Sequence, residues 1–112
     1  MKASALTTHI LDTASGKPAQ GVRVELFRLK GEAREKVTEA LTNADGRTDS
    51  PLMNAADFVA GTYELRFHIG AHFGGEGFLD QVPIVVTLRE VEGHYHVPLL
   101  CTPWSYATYR GS

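Results

Sequence analysis

Two groups of residues have side chains and spacing suited to chemistry on a small polar molecule. The chain ends in Tyr109-Arg110-Gly111-Ser112, which places a phenol, a guanidinium and a carboxylate close together. His94 and His96 alternate near that end, and His9 lies near the start of the chain. An imidazole titrates at about pH 6.5 and can give or take a proton near neutrality. These groups predict a small-molecule site, although the ending alone could equally be a plain polar tail.

The composition predicts one globular domain, residues 1–112. A chain of 112 residues buries roughly two thirds of its unfolded surface, so folding requires neither a metal nor a disulfide. The net charge of −2 gives no electrostatic reason to expect binding to nucleic acid or to a membrane. Cys101 is the only cysteine, which excludes an intrachain disulfide and a multi-cysteine zinc site. Its apolar neighbours Leu99 and Leu100 predict a buried thiol without special reactivity.

The sequence has no recognisable export signal or membrane span. Its first residues carry one positive charge but lack the apolar run of a signal peptide. No stretch approaches the ~20 apolar residues that cross a bilayer. We therefore expect a cytoplasmic protein, or a periplasmic one if an export signal has been removed.

Apolar residues recur with a period of two along most of the chain, which is the spacing of a strand with one dry face and one wet face. Segments rich in glycine, asparagine and proline separate these runs and predict turns. The pattern indicates an all-β, two-sheet antiparallel sandwich with a single short helix at residues 69–73. The predicted strands are residues 5–11, 22–26, 35–42, 63–69, 82–89, 94–101 and 104–109.

The same alternation assigns the histidines to the outer faces of their strands. Leu6 and Ile10 suit the core, which turns the other side of the first strand outward. Tyr95, Val97 and Leu99 suit the core in strand 94–101, so both histidines of that strand face out. The outward sets are Thr7, His9 and Leu11 on the first strand and His94, His96, Pro98 and Leu100 on the other.

In the last predicted strand, Trp104 and Tyr106 share one face and are expected to be core aromatics. Tyr109 then lies on the opposite face with Ser105 and Ala107. Outer faces that mix histidines or a tyrosine with small and apolar residues are poorly suited to water. We expect them to pack against another subunit and to leave a cleft lined by the histidines.

Three segments carry recognisable motifs in a fixed order. They are LTTHILDT at 6–13 followed by GKPA at 16–19, TNADGR at 42–47, and HYHVPLL at 94–100 continuing to PWSYATYRGS at 103–112. Over nearly the whole chain, these motifs and their separations resemble the transthyretin-related 5-hydroxyisourate hydrolases. The hormone-carrier branch of that family lacks the histidine at position 9 and the terminal motif, so the resemblance favours the hydrolases.

The resemblance implies a transthyretin-like β-sandwich that assembles as a homotetramer, a dimer of dimers, with active sites where the dimers meet. It implies an enzyme of purine catabolism that needs no cofactor and acts on 5-hydroxyisourate, the product of urate oxidation. Hydrolysis opens the six-membered ring to give 2-oxo-4-hydroxy-4-carboxy-5-ureidoimidazoline. The implied catalytic residues are His9, Arg47, His96 and Ser112, and the implied substrate-binding residues are His9, Arg47, Tyr109 and Arg110.

The residue types suit this reaction. Ring opening of a cyclic amide needs a base for the attacking water, a stabiliser for the oxyanion and an acid for the departing nitrogen. His9 and His96 suit the proton transfers, and Arg47 offers a permanently charged planar fork for carbonyl oxygens. We hypothesise that the two histidines share the water's proton, and the sequence leaves open which is base and which is acid. The Ser112 carboxylate could orient a histidine or Arg110.

Other interpretations of the same residues remain open. His9, His94 and His96 could together ligate zinc, although no carboxylate or cysteine stands at convincing ligand spacing and we expect no metal. The chain could also be a small-ligand carrier without catalysis, or a β-sandwich whose outer face only makes a dimer. Asp12, beside the first turn, suits a backbone hydrogen-bond acceptor better than a catalytic acid.

Overall fold

The computed structural model describes residues 4–89 and 93–111, which form two four-stranded β-sheets packed around a common core. One sheet has the strand order β2-β1-β7-β8 and the other has the order β4-β3-β5-β6. This arrangement confirms the predicted all-β sandwich. The elements are β1 (Ala5–Asp12), β2 (Lys17–Pro18), β3 (Arg23–Lys30), β4 (Ala33–Leu41), β5 (Gly61–His68), α1 (Ile69–His72), β6 (Gln81–Leu88), β7 (His94–Cys101) and β8 (Tyr106–Thr108).

The pairing of β1 with β7 departs from the predicted antiparallel arrangement because these two strands run parallel. All other paired strands in the described ranges are antiparallel. Alternation reports which side chains share a face and carries no information on strand direction. The parallel register sets Thr7 level with His96 and His9 level with Pro98, which matters for the site.

The core is built from inward side chains of both sheets. Leu6 and Ile10 of β1, and Tyr63 and Phe67 of β5, are fully buried. Burying a large apolar side chain contributes about 1.5–3 kcal/mol relative to leaving it exposed. The ring of Phe58 stacks on Tyr95 with centroids 5.9 Å apart, which joins a loop to the inner face of β7.

Cys101 lies in this core, as predicted. Its side chain is buried with a relative exposure of 1%, and burial together with Asp12 raises the pKa of the thiol to about 11. A thiol with so high a pKa carries little of the nucleophilic thiolate form at neutral pH.

The prediction that Trp104 and Tyr106 are core aromatics is wrong for the single chain, where their exposures are 67% and 45%. The predicted strand 104–109 shortens to three residues because Thr102 and Ser105 close a turn ahead of it. The Thr102 hydroxyl accepts the backbone N–H groups of Trp104 and Ser105 at 3.0 and 2.9 Å. β8 then lies at the edge of its sheet, and within the described residues no second layer covers the rings of Trp104 and Tyr106.

In the described part of the chain, no helix has the length and apolar character needed to cross a membrane.

Candidate active site

The outward positions of β1 and β7 form the surface that carries the candidate residues. Along β1, burial alternates so that Leu6 and Ile10 are buried while Thr7 and His9 are partly exposed. Along β7, His96 is partly exposed and its two neighbours are buried. The predicted outward placement of His9 and His96 is therefore confirmed.

The Thr7 hydroxyl lies between two imidazoles of β7. Its Oγ1 is 2.9 Å from Nδ1 of His96 and 3.0 Å from Nε2 of His94, and both distances are those of hydrogen bonds. The parallel register produces this contact because it sets Thr7 beside His96 on the same face. The contact fixes the orientation of the His96 ring.

A tight turn brings Arg47 next to β1. The Asn43 side chain accepts the backbone N–H groups of Asp45 and Arg47 at 2.9 and 3.2 Å, and the Asn43 N–H donates to the Arg47 carbonyl at 2.7 Å. Gly46 has φ +75°, and a Cβ there would lie 2.4 Å from the Ile10 carbonyl oxygen. Only glycine fits such a close approach. The turn is thereby held against β1, and Arg47 forms a β-bridge with His9.

The electrostatic environment lowers the pKa of both candidate histidines and so favours their neutral forms. Burial, followed by the positive charge of Arg47, lowers the pKa of His9, and a hydrogen bond to the Asp45 backbone opposes this shift only in part. Burial and Arg47 also lower the pKa of His96, with further contributions from His9 and His94. A neutral imidazole next to a fixed guanidinium can accept a proton from water while the guanidinium polarises a carbonyl group.

A surface depression of about 390 Å³ opens over these groups. Its volume is within the range of roughly 300–1,000 Å³ that small-ligand sites occupy. The lining residues are Thr7, Thr8, residues 47–51, His94 and His96. The depression thus brings Arg47 and His96 together, and both are coupled electrostatically to His9.

The terminal segment returns to His96 from the other side. The backbone N–H of Gly111 donates to the His96 carbonyl at 2.7 Å, and the two residues form a β-bridge. The Arg110 guanidinium carbon lies 4.4 Å from the centroid of the Tyr95 ring, in a cation–π arrangement. Arg110 therefore does not line the depression in the single chain. The predicted catalytic residue Ser112 lies outside the described residues.

Tyr109 and Arg110 instead line a second opening, a groove of about 430 Å³. The groove runs between β6 on one sheet and the β7 and β8 region on the other, and its lining is mainly apolar. Tyr109 is 60% exposed there. His96 lines both the depression and the groove, so it is the point where the two halves of the predicted site meet.

Sequence reasoning placed Thr7 on this face without giving it a role, and gave His94 a role only in the alternative of a zinc site. The available signal was a hydroxyl two positions before His9 and a histidine two positions before His96. Thr7 contacts His94 and His96 only because β1 and β7 pair in parallel, and the alternation of the sequence does not reveal that pairing.

The two remaining histidines are engaged elsewhere. His72 hydrogen-bonds to Asp12 at 2.9 Å, and His68 hydrogen-bonds to Glu25 at 2.6 Å. Asp12 also accepts the backbone N–H groups of Ala14 and Ser15, which confirms its predicted role at the first turn. Within residues 4–89 and 93–111, no three histidine, cysteine, aspartate or glutamate side chains are grouped so that they could hold a metal ion.

Comparison with known proteins places the chain in a family. The 5-hydroxyisourate hydrolase of Deinococcus radiodurans is 57% identical, with 96% of this chain and 95% of that protein covered. The solved structure of Klebsiella pneumoniae 5-hydroxyisourate hydrolase matches with a TM-score of 0.84 and 39% identity, covering 97% of this chain and 99% of that one. Transthyretin from Sparus aurata matches with a TM-score of 0.87 and 27% identity, covering 96% of each chain. The model of the HIUase/Transthyretin family matches residues 6–111, and the chain belongs to that family.

Proposed function

We propose that this protein is a 5-hydroxyisourate hydrolase. The observation that carries the proposal is the juxtaposition of Arg47 with two histidines, His9 and His96, whose pKa values are both lowered. A relative 57% identical over nearly the full length carries the same name. The family also contains transthyretin, to which identity is much lower at 27%. A carrier has no need of neutral imidazoles beside a guanidinium.

The reaction needs no covalent intermediate with the protein. A neutral imidazole takes a proton from water, the resulting hydroxide attacks a ring carbonyl carbon, and the C–N bond of the cyclic amide breaks. The Arg47 guanidinium stabilises the oxyanion that forms. The two histidines share the proton taken from water, and the imidazolium that results returns it to the departing nitrogen. The product is 2-oxo-4-hydroxy-4-carboxy-5-ureidoimidazoline. Tyr109, Arg110 and Ser112 belong to the substrate-binding and positioning part of the proposed site.

We propose that the working assembly is a homotetramer, a dimer of dimers. β6 and β8 are edge strands among the described residues, and the apolar groove runs along both of them. Large exposed side chains cluster near these edges and suit burial between subunits. They include Phe78 at 77%, Val85 at 56% and Trp104 at 67% exposure. Such an assembly would bring Tyr109 and Arg110 of one subunit toward a cleft shared with another.

The test is the ultraviolet decay of freshly generated 5-hydroxyisourate with catalytic amounts of the protein. We expect decay far faster than the spontaneous rate and a stoichiometric release of the ring-opened product. A double variant, His9→Ala with His96→Ala, is the matched control for nonspecific catalysis by protein. Decay at the spontaneous rate with the folded wild-type protein would refute the hydrolase proposal and favour a carrier.

A further inference from the structure

The position of Thr7 limits the proton arrangement of the two imidazoles that it contacts. A hydroxyl has one proton to donate and two lone pairs that accept. Its oxygen lies within hydrogen-bond distance of both Nδ1 of His96 and Nε2 of His94. Thr7 can therefore donate to only one of these nitrogens. If both hydrogen bonds are formed, the other nitrogen must carry a proton and donate it to Thr7.

Charge near His96 decides between the two directions. Nδ1 of His96 is engaged by Thr7, and among residues 4–89 and 93–111 this is the side-chain hydrogen bond that the ring makes, so we assign Nε2 to the water. Arg47 acts on this ring with a positive charge. In a neutral imidazole the unprotonated nitrogen is the negative end of the ring dipole and the N–H is the positive end. With the N–H held at Thr7, the negative end is left at Nε2, in a ring that shares the depression with the Arg47 cation. Electrostatics thus favours the form of His96 that is protonated at Nδ1.

The chemistry favours the same direction. When Nε2 takes a proton from water, His96 becomes an imidazolium with a proton on each nitrogen. The partner of Nδ1 must then be an acceptor throughout the reaction. Thr7 fulfils this condition without moving if its own proton already points to His94.

We propose that Thr7 is a positioning residue that holds His96 as the Nδ1–H tautomer, by accepting its proton while donating to Nε2 of His94. The inference rests on the proposed hydrolase function and deepens it, because it makes Nε2 of His96 the atom that takes the water's proton. Thr7 does not touch the reacting atoms and acts through His96. His94 completes the arrangement by accepting the Thr7 proton, so both of these outward residues acquire a role.

The experiment compares Thr7→Val, which keeps the side-chain shape and removes the hydroxyl, with Thr7→Ser, which keeps the hydroxyl. Thr13→Val is the matched control, since the Thr13 hydroxyl donates to the Cys101 carbonyl at the far end of the same strand pair. We expect kcat on 5-hydroxyisourate to fall about 10- to 100-fold in Thr7→Val with KM little changed, a smaller loss than removal of an acid–base group. Thr7→Ser should recover most of the rate, and Thr13→Val should match wild type.

Long-range ¹H–¹⁵N NMR of histidine-labelled protein supplies a readout that does not depend on turnover. We expect the neutral His96 ring to be protonated at Nδ1 in wild type and Thr7→Ser, and to shift toward the Nε2–H form in Thr7→Val. A wild-type ring protonated at Nε2, or an unchanged ring and rate in Thr7→Val, would overturn the proposal. Loss of rate in Thr7→Val without recovery in Thr7→Ser would assign Thr7 a packing role instead. If wild-type protein fails to accelerate substrate decay, the hydrolase proposal fails, while the NMR result still tests the tautomer.

Discussion

The backbone N–H of Gly111 donates a 2.7 Å hydrogen bond to the carbonyl of His96, so the terminal segment is tied to the residue that links both openings of the site. A Cβ added at Gly111 would lie 2.6 Å from Cδ2 of His96. That distance is far below a van der Waals contact, and the imidazole is the group that would have to move.

Gly111→Ala should therefore lower kcat by displacing the His96 ring. A misplaced catalytic group can cost about 100-fold in rate, and steady-state kinetics with a melting curve would measure both activity and folding. Gly31→Ala is the control, because a Cβ at Gly31 meets nothing within 4 Å and the turnover of its folded fraction should be unchanged. Wild-type kcat in Gly111→Ala would show that the ring tolerates the added methyl group.

His9→Ala and His96→Ala should each reduce turnover by about 100-fold or more, which is the typical contribution of a general acid or base. Sedimentation should show the wild-type assembly in both variants. His68→Ala is a matched control because that ring pairs with Glu25 on the other sheet. Full activity in either site variant would remove that histidine from the mechanism.

The pH dependence of kcat/KM should follow the lowered pKa values of His9 and His96. Lowering the pKa keeps an imidazole unprotonated at a pH where a free one is already charged, so the acidic limb should lie below pH 6.5. Arg47→Ala removes a positive charge, so the acidic limb should move up toward pH 6.5 while the overall rate falls. His94 also acts on His96, and Asp45 acts on His9 in the opposite sense. A limb that does not move in Arg47→Ala would contradict the electrostatic coupling.

Asp12 should make the free energy of unfolding depend on pH in the acidic range. Burial would raise the pKa of this carboxyl, but hydrogen bonds from His72, Ser15 and Ala14 outweigh burial and lower it. Because the folded pKa is below the ordinary value of 3.8, the stabilisation is complete above that pH and is lost as pH falls through the folded value.

Asp12→Asn should accordingly reduce the free energy of unfolding at pH 7 by about 1–3 kcal/mol. The difference from wild type should shrink in strong acid, as measured by urea unfolding at both pH values. Glu76→Gln, in an exposed loop, is the comparison variant and should have little effect at either pH. An Asp12→Asn deficit that persists undiminished in acid would mean that packing, and not charge, is what Asp12 contributes.

Assembly should depend on the β6 edge. Val85→Glu places a charge on an exposed apolar position of that edge, which lines the groove. We expect sedimentation to show smaller species and activity to fall with assembly. Leu41→Glu is the control variant. It introduces the same charge at a residue that is 65% exposed, at the end of β4 on the opposite edge of the sheet, and should leave the assembly intact. A monomeric wild-type protein, or an intact assembly in Val85→Glu, would contradict the proposed interface.

Alternation in the sequence was sufficient to predict the fold class and the outward faces of β1 and β7. The period of two places His9 and His96 outward because each strand must bury one face. The contact between Thr7 and His96 was beyond prediction, since it depends on β1 and β7 being parallel neighbours. Bulk and hydrophobicity alone misassigned Trp104, because the residue lies in the turn before the short edge strand β8 and its ring stays 67% exposed.

The turn that carries Arg47 was recognised from its sequence motif, but the pairing of Arg47 with His9 was not predicted. The Asn43 side chain folds the turn, and Gly46 allows it to lie against the Ile10 carbonyl. Neither contact has a periodic signature in the sequence. The bridge between His9 and Arg47 follows from that local packing.

The buried thiol of Cys101 can report how often the sandwich opens around β7. It is the only cysteine in the chain, its exposure is 1%, and burial raises its pKa to about 11. An alkylating reagent should therefore label the chain only when β7 separates from its neighbours, at a rate set by the opening equilibrium. Labelling kinetics on each variant would distinguish a damaged site in an intact sandwich from a sandwich that has loosened.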